Sequence, residues 1–268
     1  RIGADKDTIM TLETFKKCLS TIPLHVGLNF TGYVEPFLAP ETPDMILHAA
    51  ERGYSILLNT TLVGLKKEDW LRIKDVNYRE LHIHLPSCAF DEMIGVKIPV
   101  ETYEHEGRKI KTLSEEYYDM LNFLIQNPGN GWGQYKLDFH CLGDLHPELS
   151  DLQNHFYVGV RQVNSRAMNI LLEKKDKVPA EENIRGNCSR VYQNVLLPDG
   201  SLSLCCQDYG LDEVLGNLVE NTWDEYEASD TVKKIRKEGA DLCDYCEEGL
   251  TYTDTASWQQ WRRPSQLY

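Results

Sequence analysis

Five of the eight cysteines lie in the last third of the chain, in a pattern that restricts how this region can fold. Cys243-Asp-Tyr-Cys246 closes the pattern, and Cys188, Cys205 and Cys206 precede it. A Cys-x-x-Cys turn directs two sulfurs to one point, which suits zinc or an iron–sulfur cluster. We therefore predict that four thiolates meet at one centre. The spacing alone leaves three interpretations open: an iron–sulfur cluster, a structural zinc, and a set of disulfide-bonded or buried thiols.

The segment between the first two of these cysteines predicts a β-hairpin. Residues 195–197 and 201–204 are rich in apolar side chains, and residues 198–200 read Pro-Asp-Gly, which is typical of a turn. Such a hairpin would bring Cys188 and Cys205 to neighbouring positions.

A helix is predicted between the hairpin and the last two cysteines. Thr222 and Glu225 have the spacing of a capping box, and apolar residues follow at helical intervals as far as Gly239. We expect one helix over this stretch, leading the chain to Cys243.

Charge and hydropathy exclude some classes of partner. The 42 acidic residues outnumber the 28 basic ones, which gives a net charge of −14. An acidic surface repels a phosphate backbone, so a nucleic-acid substrate is disfavoured. No stretch has the length and apolarity of a membrane span or reads as a secretion signal, so we expect reduced thiols and a cytoplasmic location.

Upstream of the cysteine region, strand and helix patterns alternate, which is typical of an α/β fold with a parallel sheet. We interpret residues 89–111 as a long loop, one that orders over a substrate, and residues 173–177 as a charged linker. The predicted strands are 24–30, 55–58, 80–85, 134–141 and 157–163.

The cysteine region resembles the auxiliary-cluster domain of radical SAM enzymes, of the SPASM type. No cysteine follows Cys246, so the resemblance is to the shorter, one-cluster twitch form. It implies an auxiliary [4Fe–4S] cluster bound by Cys188, Cys205, Cys243 and Cys246, with the Gly-x4-Cys spacing favouring Cys205 over Cys206. The matching residues are Cys188, Gly200, Cys205, Gly216-Asn217, Trp223, Cys243 and Cys246.

The rest of the chain resembles the catalytic domain of the same enzymes. The resemblance implies an incomplete (β/α)6 parallel barrel over residues 1–178 and a small α+β cysteine-rich domain over residues 179–268. The Cys-x3-Cys-x2-Cys motif of the family, which binds the catalytic [4Fe–4S] cluster, does not occur in the sequence. Because the chain begins with Arg1 and one strand of the barrel is missing, we expect both the motif and that strand upstream of Arg1.

The same resemblance implies a binding site for S-adenosylmethionine. Gly32-Tyr33-Val34-Glu35-Pro36 is similar to the Gly-Gly-Glu-Pro motif that receives the amino group of that cofactor, although Val34 replaces the second glycine. Asn59, Ser87 and Arg166 also occupy positions at which the family places cofactor-binding side chains. Each has a plainer interpretation: a turn for Glu35 and Ser87, a polar strand end for Asn59, and surface charge for Arg166.

Two further strands have alternating polar residues. His82 and His84 alternate with apolar residues on one predicted strand, as Asp138 and His140 do on another. Polar sets of this kind face inward in a barrel, and the plainer interpretation is that they are hydrogen-bonded interior residues.

The resemblance implies a radical SAM oxidoreductase or modifying enzyme. It would generate a 5′-deoxyadenosyl radical that abstracts hydrogen from a small molecule or a peptide. The auxiliary cluster would serve redox chemistry or orient the substrate, and flavodoxin or ferredoxin would supply electrons. The alternatives are a non-catalytic metal-binding protein with a decayed barrel, and a scaffold protein that uses the old cleft to hold a peptide, with the aromatic tail, residues 247–268, as a contact surface.

Overall fold

The computed structural model describes residues 9–87, 102–105, 108–130, 137–161 and 188–246. The chain divides into two compact units. One consists of Val26–Val163, and the other combines Arg1–His25 with Asn164–Tyr268. The predicted domain boundary at residues 178 and 179 falls outside the described ranges and stays a prediction.

Within the described residues the chain forms six α-helices and ten strands. The helices are α1 Leu12–Leu19, α2 Thr42–Glu51, α3 Lys67–Ile73, α4 Glu115–Gln126, α5 Trp223–Ala228 and α6 Asp230–Glu238. The strands are β1 Leu28–Phe30, β2 Ile56–Thr60, β3 Tyr78–Leu85, β4 Thr102–His105, β5 Arg108–Lys111, β6 Asp138–Leu142, β7 Val158–Arg161, β8 Val195–Leu196, β9 Ser201–Ser203 and β10 Val214–Asn217. Each described helix is too short or too polar to cross a bilayer.

A five-stranded parallel sheet organises the unit Val26–Val163. Its strands pair in the order β1-β2-β3-β6-β7. On β3, Leu81, Ile83 and Leu85 are buried, whereas the residues between them are polar. The predicted parallel α/β sheet with five strands is therefore confirmed, and it is consistent with a partial barrel. The six-stranded count remains a prediction.

The helices of this unit supply the rest of its core. Trp70 of α3 is completely buried, and its indole N–H donates to the carbonyl of Asn127, just past α4, at 2.9 Å. A buried Trp with a satisfied N–H contributes a large apolar area without the cost of an orphaned donor. This contact joins α3 to the end of α4.

The predicted loop over residues 89–111 is wrong in its second half. β4 and β5 pair as an antiparallel hairpin, with Thr102 opposite Lys111 and His105 opposite Arg108. The charged side chains of this segment concealed the strand pattern. Residues 88–101 lie outside the described ranges, so the expectation that this loop orders over a substrate stays a prediction.

The cysteine region has the predicted hairpin and one strand more. β8 and β9 are antiparallel, and β10 adds to the other edge of β9. The predicted single helix is wrong, because the chain is extended at Ser229 (ψ 143°) and α6 begins there anew. The Ser229 side chain accepts a hydrogen bond from Val232 N–H, so it caps α6. The predicted capping box of Thr222 is confirmed.

The first helix belongs to the same unit as the cysteines. The backbone N–H of Trp223, the first residue of α5, donates to the Thr21 hydroxyl at 3.1 Å. Cys18 of α1 is completely buried. Residues 9–25 therefore pack with the cysteine region, although they lie far from it in sequence.

Candidate cofactor and metal centres

The four predicted cysteine ligands come from three separate segments. Cys188 precedes a short 3-10 helix, Ser189–Tyr192, and Cys205 follows β9. Cys243 lies in a second 3-10 helix, Asp241–Tyr245, and Cys246 ends it. Because side chains three residues apart eclipse in a 3-10 helix, this turn places Cys243 and Cys246 on the same side.

These four cysteines line one small cavity. Cys205, Cys243 and Cys246 are buried, and Cys188 is half-buried. The structure therefore brings together the four residues that the sequence predicts. A cavity walled by four thiols and otherwise largely apolar side chains fits an iron–sulfur cluster, which needs sulfur ligands and exclusion of water. The cavity is lined by Cys188, Arg190, Val191, Leu204, Cys205, Gln207, Leu242, Cys243 and Cys246.

Burial affects the chemistry of one of these thiols directly. Desolvation raises the pKa of Cys205 to about 12, although hydrogen bonds from the backbone of Gln207 and Asp208 oppose the shift. Without a metal, the Cys205 thiol therefore holds its proton more strongly than an exposed thiol does. A metal centre must displace that proton when it binds, so loading releases protons.

Cys206 is placed differently from Cys205. Its sulfur accepts hydrogen bonds from Arg190 Nη1 at 3.5 Å and from Gln207 Nε2 at 3.8 Å. It is half-buried and is not among the residues that line the cavity. This placement favours Cys205 as the ligand, and the choice between the two stays a proposal.

Two other residues of the cysteine pattern have structural roles in the hairpin. Gly200 has a φ of 87°, and a Cβ there would lie 2.5 Å from Val219 Cγ2. Only glycine adopts that conformation without strain and leaves that space. The Asn217 amide donates to the carbonyl of Asp199 at 3.1 Å and accepts from Val219 N–H at 2.7 Å. Both residues therefore hold the hairpin turn against β10.

A chain of hydrogen bonds connects α5 to the start of the Cys205 segment. The Tyr226 hydroxyl donates to Asn194 Oδ1 at 2.7 Å, and Asn194 Nδ2 donates to the carbonyl of Leu204 at 2.8 Å. Leu204 is completely buried and directly precedes Cys205. The helix thus fixes the backbone that presents this cysteine.

In the other unit, Glu35 is held by four hydrogen bonds. Its Oε1 accepts from Phe37 N–H at 3.2 Å and from the Thr60 hydroxyl at 2.8 Å. Its Oε2 accepts from Thr61 N–H at 2.5 Å and from the Thr61 hydroxyl at 2.7 Å. Burial nevertheless raises the pKa of Glu35, because these bonds do not cancel the cost of desolvating the charge. The carboxylate fastens its own loop to the carboxyl end of β2.

The other predicted cofactor residues lie near the carboxyl ends of β1 to β3. Gly32, with a φ of 145°, lies in the loop that leads from β1 to Glu35. The Asn59 amide, near the end of β2, donates to Asn29 Oδ1 at 2.9 Å. Ser87 follows β3, and its buried hydroxyl has no hydrogen-bond partner within the described part of the chain. Arg166 lies outside the described residues.

Parallel strands place these ends at one edge of the sheet. The structure joins Glu35 directly to the residues that follow Asn59, and Ser87 lies after the neighbouring strand. Open α/β sheets bind ligands at this edge. A buried hydroxyl such as that of Ser87 fits a polar ligand group, whereas the Glu35 carboxylate already has a donor for each of its lone pairs.

One group of polar side chains in the sheet lies closer together than the sequence pattern indicates. His82 of β3 is opposite Asp138 of β6, and His84 is opposite His140. In the structure, the side-chain nitrogen and oxygen atoms of His82, Asp138 and His140 that could bind a metal all lie within 4.8 Å of one another. The signal in the sequence was a polar residue at every second position of both strands, but only the register shows that the two sets meet.

Comparison with known proteins gave one matching family model and similar solved structures. Residues 188–248 match the family model of SPASM, an iron–sulfur cluster-binding domain. The chain is similar in fold to BtrN in complex with AdoMet and 2-DOIA, with a TM-score of 0.50, 16% identity, and coverage of 89% of this chain and 80% of that chain. It is also similar to SeMet BtrN in an open conformation, with a TM-score of 0.46, 14% identity and the same coverage. No curated protein sequence matches significantly.

Proposed function

We propose that this protein works as a radical SAM enzyme, because residues 188–248 match the SPASM iron–sulfur cluster-binding domain and the fold is similar to that of BtrN, which was solved in complex with AdoMet. The observation that carries the proposal is the convergence of Cys188, Cys205, Cys243 and Cys246 on one cavity inside the matched segment. These four thiolates would hold one auxiliary [4Fe–4S] cluster. Four protein ligands would leave no iron open, which favours electron transfer or substrate orientation by that cluster.

The protein surroundings of the cluster support an electron-transfer role. Leu204, Val191 and Leu242 line the cavity beside the thiols, and Leu204 and Val191 are buried. The guanidinium of Arg190 lies among them and donates to Cys206. Burial, hydrogen bonds near the sulfurs and a nearby positive charge are the means by which a protein sets a cluster's reduction potential.

S-adenosylmethionine would bind at the carboxyl edge of the parallel sheet. The chemistry that it supplies when bound is a carbon-centred radical that removes a hydrogen atom from a substrate. Ser87 would donate or accept a hydrogen bond through its buried hydroxyl, and Asn59 and Gly32 would line the same edge. Glu35 would act mainly as a positioning residue, because its carboxylate holds Thr60 and Thr61 in place. Arg166 would hold a carboxylate of cofactor or substrate through its planar guanidinium.

The substrate would be a small molecule or a peptide, neutral or cationic to suit the net charge of −14. BtrN was crystallised with 2-DOIA, so small molecules of that kind are the first compounds to try. Flavodoxin or ferredoxin would supply the electron.

Iron, sulfide and zinc content of the anaerobically purified chain tests the cluster. We expect about four iron and four sulfide per chain for one four-iron cluster. Cys243→Ser should remove most of this iron, and Cys206→Ser, the matched control, should keep it. Zinc without sulfide would overturn the iron–sulfur proposal. Equal iron loss in both variants would overturn the assignment of Cys205 over Cys206.

Reductive cleavage of S-adenosylmethionine tests the enzymatic part separately. Protein expressed from its complete coding sequence, reduced with dithionite, should form 5′-deoxyadenosine. Four iron atoms with no cleavage would overturn the enzymatic proposal and favour a non-catalytic metal-binding protein with a decayed barrel.

A further inference from the structure

Three side chains on adjacent strands of the parallel sheet meet at nearly equal distances. His82 Nδ1 lies 2.9 Å from Asp138 Oδ2, and His140 Nε2 lies 3.1 Å from the same oxygen. The two nitrogens are 3.0 Å apart. The three side chains are between 11% and 16% exposed, so little water reaches them. The atoms therefore form an almost equilateral triangle in a largely dry environment.

Hydrogen bonds alone do not explain this triangle well. If both nitrogens carry a proton and donate to Asp138 Oδ2, two N–H groups lie side by side at 3.0 Å without a bond between them. If His82 Nδ1 instead accepts from His140, its lone pair faces the carboxylate oxygen at 2.9 Å. Either arrangement leaves one close contact repulsive, and a low-dielectric environment strengthens that repulsion.

A metal ion removes the conflict because all three atoms then present lone pairs to one cation. A tetrahedral zinc ion with bonds of about 2.0 Å places its ligand atoms about 3.3 Å apart. The measured separations of 2.9 to 3.1 Å are within a few tenths of an ångström of that value. Small rotations of the rings would complete the fit.

The surroundings already orient the two rings for such an ion. Glu80 Oε2 lies 3.2 Å from His82 Nε2, so it can accept the proton there and leave Nδ1 as the ligand. Metal-binding histidines commonly have a carboxylate in this place. On the other side, Gly159 of β7 packs against His140, because a Cβ at Gly159 would lie 2.9 Å from its Nδ1.

We propose that His82, Asp138 and His140 form a second metal site, for a divalent transition-metal ion of the zinc class. The ligand set of two imidazoles and one carboxylate suits zinc and also non-haem iron. Three protein ligands leave a fourth position for water or for an oxygen or nitrogen atom of a small ligand. The site is separate from the cysteine centre and uses no sulfur, so it does not depend on the proposed function.

Cobalt(II) is the probe that separates this site from the cysteine centre. Bound by nitrogen and oxygen, it has ligand-field absorption bands without the intense charge-transfer bands of sulfur ligation. The protein should first be loaded with its iron–sulfur cluster, without S-adenosylmethionine, and then titrated with cobalt. We expect one cobalt ion per chain with nitrogen and oxygen ligands. The spectrum of the cluster-loaded protein before cobalt is added must be subtracted, because the cluster itself absorbs in the visible region. A difference spectrum that gains only sulfur-type bands, or none, would overturn the proposal.

Variants assign the binding to the three residues. His140→Ala should lower the affinity for cobalt at least tenfold, whereas His155→Ala, an exposed histidine in the same unit, should leave it within twofold. Glu80→Gln keeps the three ligands, so it guards against a folding defect, and it should weaken binding by about 10-fold to 100-fold. Unchanged affinity in both His140→Ala and Glu80→Gln would overturn the assignment. The iron and sulfide of the cysteine centre should stay constant throughout, so failure here is distinguishable from failure of the proposed function.

Discussion

Replacing Glu35 by glutamine tests whether its carboxylate fastens the end of β2. Each of the two carboxylate oxygens accepts two hydrogen bonds: Oε1 from Phe37 and Thr60, and Oε2 from Thr61. Glutamine has the same shape but only one oxygen. If that oxygen takes the place of Oε2, both bonds from Thr61 survive. The amide NH2 then meets the N–H of Phe37, a second donor, and the Thr60 hydroxyl, which already accepts from Leu62 N–H at 2.9 Å.

The size of the effect follows from the number of donors left without an acceptor. One buried N–H that loses its acceptor costs about 1–3 kcal/mol. Removing a buried charge works in the opposite direction, and the raised pKa of Glu35 indicates that this relief is real. The cost of the lost acceptor should exceed the gain from removing the buried charge, because the neutral amide cannot replace that acceptor. We therefore expect Glu35→Gln to lower the free energy of unfolding by about 1–2 kcal/mol.

Urea unfolding of the purified chain, followed by circular dichroism, measures this difference. Glu51→Gln is the matched control, since Glu51 is exposed at the end of α2 and should change stability by less than about 0.5 kcal/mol. If Glu35→Gln were as stable as Glu51→Gln, the four hydrogen bonds would not be holding β2. The carboxylate would then be available to the amino group of a cofactor, and its positioning role would be refuted.

Three further predictions concern pH, the cysteine region and the hairpin. Because the pKa of Glu35 is raised in the folded protein, the stability advantage of the wild type over Glu35→Gln is fully present below the ordinary carboxyl pKa of about 4.3 and falls as the pH rises through the raised value. Urea unfolding at pH 4 and pH 7 measures this difference in the free energy of unfolding, and a difference that grows with pH would contradict the prediction. Asp208→Asn should lower the free energy of unfolding in urea by about 1–3 kcal/mol, because the buried Asp208 carboxylate accepts from the N–H groups of Asp212 and Glu213 and an amide cannot accept from both. A change of less than about 0.5 kcal/mol would contradict this prediction. Gly200→Ala should lower the melting temperature, because left-handed backbone costs about 1–2 kcal/mol with a Cβ, and an unchanged melting temperature would show that the turn relaxes freely.

The parallel α/β sheet and the hairpin could be predicted because their signals are local. Apolar runs that alternate with helices are typical of a parallel sheet, and Pro-Asp-Gly at 198–200 is a turn that needs no tertiary information. The end of the helix at Ser229 was missed, although a serine before Asp230 is an ordinary helix start. β10 was missed because it is short and its pairing with β9 is interrupted by an irregularity between Val214 and Gly216.

The candidate sites also contain residues that a local signal predicts and residues that meet only through the tertiary fold. The cysteines could be found from spacing, because Cys-x-x-Cys is itself a local geometry. The bonds between Glu35 and Thr61 could not, because they join residues 26 positions apart and depend on how the loop after β1 folds back. The meeting of His82 with Asp138 likewise depends on the register of β3 and β6, which no local signal fixes.

The polar face of the sheet is difficult to explain by stability alone. Opposite the buried Leu81, Ile83 and Leu85, a polar network crosses four strands. Asn29 on β1 bonds to Asn59 on β2 at 2.9 Å, and Asn59 Oδ1 lies 3.3 Å from His84 Nε2 on β3.

The network continues from His84 to His140 on β6, whose ring centroids are 6.0 Å apart, and ends at Asp138. The side chains of His82, Asp138 and His140 are only 11% to 16% exposed. Polar groups with so little exposure cost free energy unless each is paired, and apolar residues of similar volume would pack at least as stably. Such a face is explained if it binds something. Strands β1 and β2 end where the proposed cofactor would lie, and β3 and β6 carry the proposed metal ligands. One polar face of the sheet would therefore serve both sites.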